Sequence, residues 1–165
     1  MARRISFPNV EEYVKKLNRL TDQSLVIIQK SVVEGSKPIA DQCKANLNAL
    51  ASKENKYALG AYKKGEKAPL TNEQKEGLIE SMGLAPMQND KGYINTKLGF
   101  DGYNKTITKR WPKGQPNAMI ARSLESGSSA IEKQPFIRPA IAAKKKEAEK
   151  NISDYLDKEI EKIMR

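Results

Sequence analysis

The chain has 165 residues, 38 % apolar and 30 % charged, with a formal net charge of +10 and no histidine. That share of periodically placed apolar residues supports one domain, 1–165, with a modest core, and argues against a disordered chain. The missing imidazole removes the side chain best suited to proton transfer near neutral pH, so serine, cysteine and zinc chemistry lose their usual partner.

The positive charge draws a protein toward polyanions or acidic surfaces without choosing between them. Lys outnumbers Arg and aromatics are only 6 %, which weakens a nucleic-acid reading and leaves solvated helix faces as an equal explanation. Cys43 is the one cysteine, so no intrachain disulfide can form. Its place beside Ile39 and Leu47 reads as a small buried hydrophobe. Arg3 and Arg4 are followed by no apolar export core, and Leu25 to Ile28 is too short a run to cross a bilayer. These features fit a soluble protein made in the cytoplasm, with no membrane partner.

In chain order, Asn9 with Glu12 makes a candidate capping box. Val10, Tyr13, Val14, Leu17 and Leu20 follow at helical spacing, and the pattern resumes through Leu25, Ile28, Val32, Ile39, Cys43, Leu47 and Leu50. Gly35 and Pro38 predict a kink or break, giving one long bent helix or two consecutive helices ending near Ala51. Residues 53–70 read as a basic flexible loop, interrupted by Gly60, Gly65 and Pro69. Thr71 with Gln74 caps a short helix to about Met82.

The period then changes. Gly83 to Met87 predicts a strand, Asn89 to Gly92 a turn, and Tyr93 to Phe100 a second strand that ends at Asp101-Gly102. Tyr103 to Gln115 reads as irregular. Asn117 is the expected cap of a helix stopped by Gly127. Pro135 to Arg138 should be extended, because Arg138 precedes a proline. Pro139 suits the first position of a long last helix carrying Ile141, Ala148, Ile152, Tyr155, Leu156, Ile160 and Ile163. The fold class is therefore α+β, with long helices at both ends and a small antiparallel sheet between them.

No pattern for catalysis, metal or cofactor emerges. Gly60, Gly99 and Gly102 build neither a dinucleotide loop nor a phosphate loop. Glu73 with Glu76, and Glu159 with Glu161, read as exposed helix charges rather than acid pairs. Lys144-Lys145-Lys146, with Glu147 and Glu149 close by, reads as a mixed, solvated face.

One stretch is specific: Ala121-Arg122-Ser123-Leu124-Glu125-Ser126-Gly127, a loop, then Gln134-Pro135-Phe136-Ile137-Arg138-Pro139-Ala140. It resembles the signature of the phage tail-completion, or head–tail joining, family typified by phage Hong Kong ninety-seven, in which an LExGxS segment and a short loop precede PFxRPA. Gly99 to Tyr103 also resembles the strand end of many relatives. The likeness covers about residues 97 to 145. Two departures are a loop at Ser128 to Gln134 without the extra proline, and a longer basic insertion at Lys53 to Leu70.

The resemblance implies a structural virion protein and no enzyme. It implies a homo-oligomeric ring, often six-fold, or a monomer that oligomerises only on docking, at the neck of a long non-contractile tail. Head-side connector and tail-tube proteins would be its partners, and DNA would pass in contact. By physics alone, Glu125 near a helix C-terminus sits on the wrong end of the macrodipole, so it should pair with Arg122 or Arg138. Gly127 allows a left-handed turn, Phe136 supplies an apolar anchor, and Pro139 sets the angle of the last helix. Leu124, Glu125, Gly127, Pro135, Phe136, Arg138 and Pro139 are thus the candidate interface or scaffold residues.

Overall fold

The computed structural model describes residues 8–107 and 110–165, apart from the side chains of Pro8, Asn9 and Tyr62. The proposed Asn9 cap therefore lies outside the described side chains. The architecture is α+β: α1 (Pro8–Ala49), α2 (Asn55–Lys64), α3 (Asn72–Ser81), β1 (Met82–Leu84), β2 (Gln88–Asp90), β3 (Tyr93–Asn95), β4 (Leu98–Phe100), α4 (Asn117–Ser126) and α5 (Ile137–Met164).

Helix α1 runs for 42 residues without a break, with Pro38 inside it. Of the two expected forms, the single long helix is the one found: packing along α5 outweighs a local cost of roughly 3 kcal/mol for an interior proline. Helix α5 lies antiparallel to α1. Near one end of the pair, Lys16 Nζ donates to the carbonyl of Met164 at 3.2 Å; near the other, Asn46 Nδ2 donates to the carbonyl of Phe136 at 3.0 Å. The lengths, about 63 Å for α1 and about 42 Å for α5 at 1.5 Å per residue, make a two-helix arm.

The glycine expected to break α1 instead lets the arm close. A Cβ at Gly35 would lie 2.4 Å from Ile152 Cγ1 and 3.1 Å from the carbonyl of Ala148. Only hydrogen fits at that crossing.

The buried core sits at the other end of the arm. It joins Cys43 and Leu47 of α1, Leu78 of α3, Phe100 of β4, Ile120 and Leu124 of α4, and Phe136 and Ala140 around the start of α5. Phe100 and Phe136 meet edge to face at 5.8 Å between ring centroids, a favoured aromatic geometry.

The region read as a loop at 53–70 holds a helix, α2, over ten of its residues. Gly60 is tolerated inside it. The helix ends at Gly65, where the N–H of Glu66 reaches back to the carbonyl of Ala61 at 2.9 Å and satisfies a terminal acceptor. The flanks are pinned as well: Lys53 bridges Thr71, and Ala68 bridges Ile131. These long-range contacts are invisible to local spacing. Thr71 and Gln74 form the expected reciprocal cap of α3, at 3.2 and 3.1 Å.

The sheet is a hairpin in two pieces. Strands β2 and β3 pair around a turn at Lys91 and Gly92, both with positive φ, as a two-residue hairpin loop demands. Strands β1 and β4 pair farther down. Between them Ala85-Pro86-Met87 faces only Thr96-Lys97, so the register shifts by one residue. The strand expected from Gly83 to Met87 thus stops at Leu84, before Pro86, which has no N–H for a ladder; β2 takes Asn89 and Asp90 from the expected turn, and the strand expected from Tyr93 to Phe100 is interrupted opposite Pro86, at Thr96-Lys97.

Candidate functional site

The residues of the 121–140 stretch converge where α4 ends and α5 begins. Helix α4 is capped by Pro116 without a side-chain bond, not by Asn117 as expected. The reason is tertiary: Asn117 Nδ2 is drawn to the carbonyl of Asp101 at 2.9 Å, which ties α4 to the end of β4.

Helix α5 starts at Ile137, two residues earlier than expected, with Phe136 as its N-cap. Ile137 and Arg138 are therefore helical, not extended, and Pro139 is the third residue of the helix. Glu125 explains this. Its Oε2 accepts the N–H groups of Phe136 and Ile137, each at 2.9 Å, and its Oε1 accepts that of Arg138 at 3.0 Å. The first-turn donors have no partner inside a helix. Here three of them share one carboxylate, and Pro139 has no N–H to satisfy. This arrangement outweighs the usual bias of a pre-proline residue against helix.

The expected cation partner is Arg138. Arg138 Nε lies 3.7 Å from Glu125 Oε1, and Arg122 forms no ion pair with it. Arg138 is 69 % exposed there, so its attraction is screened and the backbone donors dominate. Burial pushes the Glu125 carboxyl upward in pKa. The N–H groups of Ile137, Arg138 and Phe136, with the Arg138 charge, outweigh it and hold the group below the ordinary carboxylate range. The dipole conflict at the end of α4 is resolved by a second helix, whose positive N-terminus faces the same carboxylate.

The rest of the stretch divides by burial. Leu124 and Phe136 are fully buried. Gly127 has φ +80°, and its N–H bonds the carbonyl of Ser123 at 2.8 Å to close α4. Gln134 N–H returns to the carbonyl of Leu124 at 2.8 Å, so the intervening loop is stitched at both ends. Pro135, Arg138 and Pro139 are exposed. The buried members hold the joint, and the exposed ones form a surface beside it.

Chemically, a carboxylate saturated by three N–H donors is a poor acid or base at neutral pH. The Cys43 thiol is equally quiet: burial first, and then the Glu125 charge, push its pKa up to about 11. Among the described residues no cluster of His, Cys, Asp or Glu is arranged to hold a metal, and no helix is long and apolar enough to cross a membrane.

Sequence reasoning missed Lys16 at the far end of α5 and Gly35 at the helix crossing. A small residue amid large apolar ones was the only signal for the second; the first had none. It also missed Asn104, buried beside Asn117. No protein-family model matches the chain, and no curated protein or solved structure matches it either.

Proposed function

We propose that the chain is a structural subunit of the neck of a tailed bacteriophage or prophage with a long, non-contractile tail. In this reading it joins the tail to the DNA-filled head as an oligomeric ring, between the head-side connector and the tail-tube proteins. It resides in the virion and, during assembly, in the host cytoplasm. The observation that carries the reading is the joint built by Glu125. The LExG and PFxRPA segments, which the sequence likens to the head–tail joining family, act together through one carboxylate. That joint fastens the start of the long helix α5 to the end of α4, which suits an assembly role.

A ring needs one face of each subunit to meet a different face of the next. The exposed Pro135-Arg138-Pro139 surface and the exposed apolar side chains Val10, Val14 and Leu25 of α1 are available for such contacts. Particles produced without the protein are expected to appear by electron microscopy as filled heads and separate tails. Normally joined virions in its absence would overturn the reading.

A basic nucleic-acid-binding role is the second reading, favoured by one specific feature. Lys53, Lys56, Lys64 and Lys67 line a cleft against α2, together with Tyr57. Binding through them would weaken steeply with salt, by a logarithmic slope of about 0.9 per phosphate neutralised on duplex DNA. A shallow slope, or affinity unchanged in K56E/K64E, sets it aside.

A further inference from the structure

Three clefts lie side by side around α2 and α3. The first, about 260 Å³, is acidic: Glu73, Glu76, Glu80 and Asp101 line it, with Lys105. The three glutamates share one face of α3 at spacings of three and four. None of the four acids is in an ion pair among the described residues. Asn104 and Asn117, 4 % and 3 % exposed, also line this cleft. Asn104 Nδ2 and Asn117 Oδ1 have no hydrogen-bond partner, a costly state for buried amides.

The second cleft shares Glu73 with the first and is lined by Ala58, Leu59, Pro69 and Ile107. Leu59 is 62 % exposed and Ile107 71 %. The third shares Pro69 with the second and lies across α2. There Lys53, Lys56, Lys64 and Lys67 outnumber Glu66 and Glu132. Exposed Tyr103 stands at the acidic cleft and exposed Tyr57 at the basic one. The order along the strip is acidic, apolar, basic.

We propose that this strip is a self-association surface for a second copy of the chain, docked face to face about a two-fold axis. A two-fold rotation reverses the order, so each acidic cleft meets the partner copy's basic cleft and the two apolar centres meet each other. A polyanion would fit only the basic third and be repelled by the acidic third, so the whole strip favours a dipolar partner. The inference goes beyond the neck reading and can fail without it: a two-fold pair closes on itself, so it is a form of the unassembled subunit.

Charge reversal tests it on the full chain, with mass read by sedimentation at low salt and folding by circular dichroism. The wild-type chain is expected to pair in a concentration-dependent way, about tenfold more weakly in molar salt because exposed charges are screened. E76K/E80K and K56E/K64E should each be monomeric alone and form a one-to-one pair when mixed, and the fourfold variant should pair with itself. L59S/I107S, altered at exposed positions, should weaken pairing at least about tenfold with the fold intact. A wild-type chain that stays monomeric at hundreds of micromolar overturns the proposal, whether or not it binds DNA. So does association that survives both reversals, or two folded variants that fail to pair on mixing.

Discussion

At Glu125 two helix ends with opposite needs meet in one side chain. Truncation to alanine leaves three first-turn N–H groups of α5 without an acceptor, in a place where water enters poorly. Bonds to a charged acceptor are worth roughly 1.5–3 kcal/mol each, with strong overlap among the three. E125A is therefore expected to lower unfolding stability in urea by about 3 kcal/mol. E125Q, which keeps one oxygen but loses the charge, should lose about half as much. R138A should cost under about 1 kcal/mol, because its ion pair is exposed. A larger loss in R138A than in E125A would show that the backbone bonds are not what holds the joint.

The same carboxylate sets a pH dependence. Its pKa is lower in the folded chain than in the unfolded one. The unfolded chain therefore binds the proton first as pH falls. The stabilisation is complete above the ordinary glutamate range and is lost as pH drops from there through the lower folded value. Difference curves between wild type and E125Q should shrink across that acidic window and be flat above it. Gly35 makes a separate case. G35A gains helix propensity of up to about 1 kcal/mol but drives a methyl into Ile152 and against the carbonyl of Ala148. A net loss of about 1–2 kcal/mol is expected by thermal unfolding, and a smaller loss when G35A is made in an I152A background, which lacks both clashing atoms, Cγ1 and Cδ1.

Among the elements, α1 is the least uniform. From Ile27 onward it buries Ser31, Gly35, Cys43 and Leu47 against α5 and the core, whereas Val10, Tyr13, Val14, Leu25 and Val26 remain exposed. Local opening follows buried apolar contact rather than helix length. Amide hydrogen exchange should thus divide α1, slow from about Ile27 to Leu47 and markedly faster before Leu25. Uniform protection along the helix in a verified monomer would contradict this. Helix α5 is fastened differently, by electrostatics at both ends: Glu125 meets its N-terminal N–H groups, and Lys16 meets its last carbonyls at 2.9–3.2 Å. Both charges have the sign the helix dipole favours. Along its exposed flank Lys144 pairs with Glu147 and Lys145 with Glu149, the mixed solvated face that the sequence suggests.

Over the whole molecule, charge is sorted rather than merely positive. A formal +10 hides an acidic cleft on α3 beside a basic cleft on α2, so net charge alone misjudges which partners fit. If the acidic–apolar–basic strip pairs two copies, salt and concentration should change mass together. If the α2 lysines serve DNA instead, salt should change DNA affinity while mass stays constant. The exposed Pro135, Arg138 and Pro139 stand where α5 begins, beside the core end of the long arm.

What could be read along the chain was whatever rests on near neighbours. The Thr71–Gln74 cap, the stop at Gly127 and the apolar stripe of the long helices each need only a few consecutive residues, and each is present; the turn expected over Asn89 to Gly92 is present in its second half, at Lys91-Gly92. The α+β class followed from the change of period between them. The tertiary structure decided whatever depends on distant partners. Pro38 stays helical because α5 supports α1, and Gly35 serves as a close crossing because Ile152 lies opposite. Residues 55–64 form a helix whose flanks are pinned by Thr71 and Ile131. Arg138 turns helical because Glu125, thirteen positions earlier, accepts its N–H. Apart from proline, local propensities differ by about a kilocalorie per residue or less, and one buried charge-assisted bond exceeds that. Such contacts between segments therefore override the local code wherever the fold brings them together.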